Sequence, residues 1–179
     1  MNPAPNLVLV GPMGAGKTSL GKRLARRLGL EFVDADQRVE QAAGASVSMI
    51  FELEGEPGFR QREERLLDEL LRGDAQVIAT GGGAVLSAGN RERMRERSFV
   101  VYVRVSLERQ LHRLHRDQTR PLLASGDRRE TLQALSETRE PLYQSVADLV
   151  FESDGVDVAA AARRLGAQVD STWKRGQAA

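Results

Sequence analysis

The segment Gly11-Pro-Met-Gly-Ala-Gly-Lys-Thr18 constrains this chain more than any other, because it stands between two stretches of different character. Before it, Asn6-Leu-Val-Leu-Val10 is a short apolar run of the kind that forms a strand buried on both faces of a parallel sheet. After it, Leu20, Leu24, Ala25 and Leu28 recur at helical spacing from Gly16 to about Leu28, and Gly29 is placed to end the helix. Strand, glycine-rich turn and helix in that order satisfy the phosphate-loop pattern in the context it requires. The glycines let backbone N–H groups turn toward an anion, and the helix start adds partial positive charge. Lys17 then suits terminal phosphates and the Thr18 hydroxyl suits Mg²⁺.

The alternation continues along the chain. Glu31-Phe-Val33, Gln76-Val-Ile-Ala79, Phe99 to Val105 and Asp148 to Phe151 read as four further strands, with helical segments between them. Strands alternating with helices imply right-handed crossovers and a three-layer α/β sandwich, a parallel sheet covered on both faces. A length of 179 residues holds one ordinary core and not two, so a single domain is expected over residues 1–169. Asp117 to Arg129 mixes Pro121, Gly126 and several charges without a period and reads as a mobile loop. Asp170 to Ala179 carries little apolar content apart from Trp173, and the expectation there is a disordered tail.

Composition removes whole classes of function. The 26 basic and 25 acidic residues leave a charge of +1, without the field of a general nucleic-acid binder, and only eight aromatic residues are present for base stacking. Absence of cysteine excludes disulfides, thiolate metal sites and cysteine nucleophiles, so any chemistry rests on oxygen and nitrogen groups. No stretch approaches the roughly 18 apolar residues of a membrane span, and Met1 to Gly14 lacks the pattern of an export signal. A cytoplasmic protein without a membrane partner is expected. Of the basic residues only Lys17, Lys22 and Lys174 are lysines, and the other 23 are arginines. Most of these read as solvated helix surface, although arginine is also the residue for bidentate anion binding.

The remaining motifs are individually weaker. Asp34-Ala-Asp36 follows the second strand, where a one-residue interval can aim both carboxylates at one opening, though such a pair is more often a turn or helix cap. Arg60 and Glu63 lie in the first turns of a helix that Pro57 starts, on one face at i,i+3, either as a surface pair or with Glu63 fixing the Arg60 fork for a carboxylate ligand. Gly81-Gly-Gly83 ends the third strand, and either a sharp turn or close approach of a ligand to the backbone explains it. Arg120-Pro-Leu-Leu123 lies in the irregular loop, and Arg139-Glu-Pro-Leu-Tyr143 interrupts a helical stretch that begins at Arg128. His112 and His115 sit among arginines with no carboxylate at metal-ligand spacing and read as surface. Phosphate loop, aspartate pair and triple glycine each follow the carboxyl end of a strand, the edge along which parallel sheets bind ligands. That convergence favours the functional reading of Asp34, Asp36 and Gly82.

The ordered set GPMGAGKT, DAD, FRQRE, TGGG, RPLL and REPLY resembles the shikimate kinases, small bacterial P-loop kinases of aromatic biosynthesis, over roughly Asn6 to Asp154. The phosphate loop alone is shared by very many nucleotide-binding proteins; the other motifs in this order are far more specific. The resemblance implies a P-loop kinase fold with a five-stranded parallel sheet of order 2-3-1-4-5, and a monomer with a lid over about 113–129. It implies ATP-dependent phosphorylation of the shikimate 3-hydroxyl. Gly14, Ala15, Gly16, Lys17, Thr18 and Ser19 would hold the nucleotide with Arg113, set against the adenine, and Arg120, swung in on the γ-phosphoryl group. Thr18 and Asp34 would hold Mg²⁺. Asp36 would accept or orient the substrate hydroxyl, with Arg60, Arg139 and the Gly82 amide on its carboxylate. The open alternatives are another small P-loop kinase acting on an acceptor such as gluconate, a non-catalytic ATP-dependent regulator, and a nucleic-acid-stimulated ATPase. The first is distinguished by the acceptor arginines, the second by the retained Asp34, Asp36 and Arg120, the third by charge balance and chain length.

Overall fold

The computed structural model describes residues 4–117, 119–124 and 126–174. Its central strand, β1 (Asn6–Val10), is buried at every position. Alternate side chains feed two cores, Leu7 and Leu9 into one and Val8 and Val10 into the other, which is why the run from Leu7 to Val10 is apolar without a break. The chain continues through α1 (Lys17–Leu28), β2 (Glu31–Asp34), α2 (Ala35–Ala43), α3 (Val47–Arg72), β3 (Gln76–Ala79), α4 (Ala88–Arg97), β4 (Ser98–Arg104), α5 (Leu107–Leu114), α6 (Arg128–Val146), β5 (Leu149–Glu152) and α7 (Val158–Thr172).

All four strand pairings are parallel and the order is β2-β3-β1-β4-β5, as expected. Leu20 and Leu24 of α1 and Leu165 and Val169 of α7 cover the Leu7 face. Leu67 and Leu71 of α3, Met94 of α4, and Tyr143 and Val146 of α6 cover the other. Register decides where the loops emerge: Leu9 pairs with Ala79, and Ala79 with Asp34. The phosphate loop, the aspartate pair and the triple glycine therefore leave the sheet at one level of one edge.

Two expectations are corrected. Pro141 does not interrupt α6, which is continuous from Arg128 to Val146. A proline withholds the N–H that would bond four residues back, yet Leu132, Arg139, Tyr143 and Val146 are buried along this helix, and that burial carries it through. Nor does disorder begin at Asp170. The helix α7 runs to Thr172, and Trp173 extends the four-residue spacing of Leu165 and Val169, stacks on Phe99 at 5.9 Å and donates its indole N–H to the Ala4 carbonyl at 3.0 Å. Residues 175–179 of the expected tail lie outside the described residues. The stretch from Asp117 to Arg129 carries more local structure than its composition suggests. A 3₁₀ turn forms at Pro121–Leu123, Leu123 packs with Leu114 and Leu132, and α6 begins at Arg128. Positions 118 and 125 of that loop lie outside the described residues.

Candidate active site

The phosphate loop closes on itself before turning into α1. Gly16 caps the helix with a φ of 93°, a left-handed conformation that strains any residue with a Cβ. The Lys17 ammonium is buried and donates to the carbonyls of Gly11 at 2.7 Å and Pro12 at 2.9 Å. Burial lowers its pKa to about 8; Asp36 and Asp34 oppose that fall, and Arg120 and Arg139 add to it. Ala15 turns its N–H to the Pro12 carbonyl and its methyl into the core, whereas Ser19 is exposed. From α5, Gln110 donates to the Met13 carbonyl at 2.9 Å and Arg113 to the Gly14 carbonyl at 2.7 Å, so this helix braces the loop.

Asp34 satisfies both readings of its motif. One carboxylate oxygen caps α2 by accepting the Gln37 N–H, and the other accepts the Thr18 hydroxyl at 2.7 Å. Asp36 sits one step further on, with burial raising its pKa, Asp34 adding to the rise, and Lys17, Arg120 and Arg60 working against it. These groups line a cleft of about 800 Å³ that also includes Gly14, Gly16 and Arg120.

A narrower pocket adjoins the cleft and is lined by Asp36, Arg60, Glu63, Gly82, Arg120 and Arg139, with Phe59 among its apolar residues. Gly55, with a φ of 71°, breaks α3 into two arms, and Pro57 in the first turn of the second arm withholds an N–H that has no helical partner. That arm presents Arg60, whose guanidinium donates to Glu63 at 2.7 Å and Glu56 at 3.0 Å. Glu63 is 2% exposed, and burial raises its pKa against the pull of Arg60. The i,i+3 pair is therefore a buried clamp and not a solvated ornament.

The triple glycine owes its composition to these neighbours. A Cβ on Gly81 would lie 2.7 Å from both an Asp36 oxygen and a Glu63 oxygen, and one on Gly83 would lie 2.2 Å from the Arg60 guanidinium. Gly82 lies against the phosphate loop and Arg139. Side chains at Gly81 and Gly83 would evict functional groups, whereas Gly82 has ordinary contact distances around it. The Asp36 and Glu63 oxygens that face Gly81 are buried and accept no hydrogen bond among the described residues.

Arg120 reaches both cavities and is held by Asp117 at 3.2 Å, which also accepts the N–H and hydroxyl of Thr119. Arg128 donates to the Asp117 and Leu114 carbonyls. His112 and His115 are exposed, as expected. Sequence reasoning did not single out Gln110, Asp117 or Arg128. Asp117 was within reach of a spacing argument, standing three residues before Arg120, but the others bond to backbone carbonyls, which leave no sequence trace.

A phosphate loop between β1 and α1, an acidic pair on the neighbouring β2–α2 connection and arginines on the far wall define a nucleotide-dependent kinase of the P-loop class. A family model for shikimate kinase matches residues 13–170, and a shikimate kinase from Xanthomonas campestris pv. campestris is 51% identical over 174 residues, covering 97% of each chain. The chain belongs to the shikimate kinase family, ATP-dependent kinases of shikimate in aromatic biosynthesis. A solved shikimate kinase from Acinetobacter baumannii, in complex with shikimate, is 45% identical and superposes with a TM-score of 0.91 over 94% of each chain. A gluconokinase from Sinorhizobium meliloti, at 17% identity and a TM-score of 0.57, shares the fold alone.

Proposed function

We propose that this chain transfers the γ-phosphoryl group of ATP to the 3-hydroxyl of shikimate, using Lys17, Asp36 and Arg120 as its catalytic residues. The observation that carries the reading is the acceptor pocket: Arg60, Gly82 and Arg139 stand together beside Asp36, at the wall shared with the phosphate-loop cleft. Two guanidinium groups and a backbone N–H suit one carboxylate. Asp36, with its raised pKa and an orphaned oxygen, suits an acceptor hydroxyl whose proton must leave as the new P–O bond forms.

Phosphoryl transfer asks a protein for alignment and charge neutralisation more than for covalent help. In this reading the N–H groups from Gly14 to Ser19 and the Lys17 ammonium hold the phosphates, Arg120 neutralises the γ-phosphoryl oxygens, and Arg113 lies against the adenine. Segment 113–129 acts as the lid, excluding water that would otherwise take the phosphoryl group. Support for that role comes from Ser48 at the start of α3, which donates to the Thr119 carbonyl at 3.1 Å.

Thr18 and Asp34 fit Mg²⁺, which keeps most of its waters and takes few protein ligands. Their side chains supply one hydroxyl and one carboxylate at a single point, and among the described residues no cluster of three acidic or imidazole groups offers a full protein cage. When bound, Mg²⁺ neutralises charge on the phosphate oxygens. The reading includes a monomer in the cytoplasm whose partners are small molecules; the net charge of +1 supports leaving nucleic acid out. No helix of the described residues is long and apolar enough to cross a membrane.

The test is ADP release from Mg·ATP with shikimate, with gluconate or with no acceptor. Release with shikimate alone is expected; release with gluconate or without acceptor overturns the reading. Arg139→Lys is expected to raise the KM for shikimate at saturating ATP, because a point charge replaces a planar fork, and an unchanged KM removes Arg139 from the carboxylate.

The burial of Lys17 makes a pH prediction. In the free protein its charge is lost as pH rises through about 8, so kcat/KM for ATP should fall above that pH. Stability should move the other way. The folded protein holds fewer protons on this group than the unfolded chain between about 8 and the ordinary 10.5, so the Lys17 contribution to stability rises across that window. A pH profile of kcat/KM that stays flat to pH 10 removes Lys17 as the titrating group.

A further inference from the structure

Tyr143 of α6 makes a contact that the proposed reaction does not use. Its hydroxyl donates to the Gly82 carbonyl at 2.5 Å and also faces the Arg139 guanidinium, and its buried ring stacks on Tyr102 with centroids 5.1 Å apart. The Gly82 carbonyl belongs to the planar peptide joining Gly82 to Gly83, so holding the oxygen holds the whole unit. One end of that unit lies against each acceptor arginine. The space a Gly82 side chain would occupy ends 3.6 Å from Arg139, and the space at Gly83 is filled by the Arg60 guanidinium.

Packing alone does not secure this arrangement. Tyr143, Tyr102 and Arg139 also line a cavity of about 320 Å³ with Arg104 and Glu140. The glycines bring no side chains of their own to lock the ribbon, and among the described residues Tyr143 is the side chain that bonds one of their carbonyls. We infer that Tyr143 is a positioning residue for the acceptor, its hydroxyl setting the distance between the Arg60 and Arg139 guanidinium groups by holding the Gly82–Gly83 peptide. This rests on the reading that those arginines share the shikimate carboxylate. Burial pushes the phenol up to about 12, so it stays a donor at neutral pH.

The experiment compares Tyr143→Phe with Tyr102→Phe and Arg139→Lys, measuring KM for shikimate and ATP, kcat and thermal unfolding. Tyr143→Phe should raise the KM for shikimate about tenfold, the scale of one hydrogen bond, while the KM for ATP stays within about twofold. Its preference for shikimate over the analogue lacking the carboxylate should shrink by a similar factor. Tyr102→Phe should leave that preference unchanged. A shift in unfolding temperature with both KM values and the preference unmoved makes Tyr143 a packing residue and overturns the inference. If Arg139→Lys raises the shikimate KM and Tyr143→Phe does not, the inference fails and the carboxylate reading survives; if neither moves it, both fail. Should Tyr143→Phe not fold, site-specific 3,5-difluorotyrosine keeps the ring and makes the phenol more acidic. Its shikimate KM should then climb with pH relative to the parent, and a constant ratio overturns the proposal.

Discussion

Lys17→Ala is expected to lower kcat by about 10²-fold or more at saturating ATP and shikimate, the loss that follows deletion of one preorganised charge-stabilising donor. The side chain is anchored at the first residue of α1, and its ammonium reaches the Gly11 and Pro12 carbonyls without leaving the loop. A charge held there is in place before the phosphoryl group begins to move, so no reorganisation is needed during transfer. Burial works against that charge, as the lowered pKa shows, so the fold gains little from keeping it. The loss in Lys17→Ala should therefore fall on turnover, with unfolding temperature close to that of the parent. Steady-state kinetics beside a thermal melt separate the two, and near-normal turnover in the folded variant would remove Lys17 from the mechanism.

Asp36→Asn should produce a loss of about 10²- to 10³-fold in kcat, within the range for a positioned proton acceptor. Asparagine fills the same volume and still offers an oxygen to the acceptor hydroxyl, so the KM for shikimate should move much less. Stability should not fall with activity. Burial and Asp34 both disfavour the ionised form of Asp36, and a second buried carboxylate, Glu63, faces the same glycine. A neutral amide relieves that repulsion and brings an N–H to the side of Glu63 that lacks a donor. The expected variant is thus nearly inactive and at least as heat-stable as the parent. A kcat within tenfold of the parent would exclude Asp36 as the proton acceptor, and a lower melting temperature would contradict the electrostatic account.

The phosphate loop and the strands were legible in the sequence because each rests on local pattern, whereas the strand order came with the family resemblance. The apolar run from Asn6 to Val10 and the spacing of Leu20, Leu24 and Leu28 need no distant partner to be read. The functional meaning of Asp34 and Asp36 came from the convergence of motifs at one sheet edge, which strand register then explains. Where the reading stopped short, tertiary contact decided. Pro141 looks like a break until Leu132, Tyr143 and Val146 are seen buried along α6. Trp173 looks stranded in a polar tail until its ring meets Phe99 and its indole meets Ala4, across the full length of the chain. Gln110 and Arg128 brace the loops through backbone carbonyls, which every residue owns and no sequence pattern marks.

The glycine ribbon limits how this pocket can diverge. At Gly81 and Gly83 the room for even a methyl group is already occupied by Asp36, Glu63 and Arg60, so any first mutational step there displaces a working group before it can add a new contact. New acceptor preferences would come from exchanges on α3 and α6, where Arg60 and Arg139 reach the pocket, and an exchange at Arg60 must also answer the buried Glu63. The ribbon would persist through such drift as the part of the acceptor wall least free to vary.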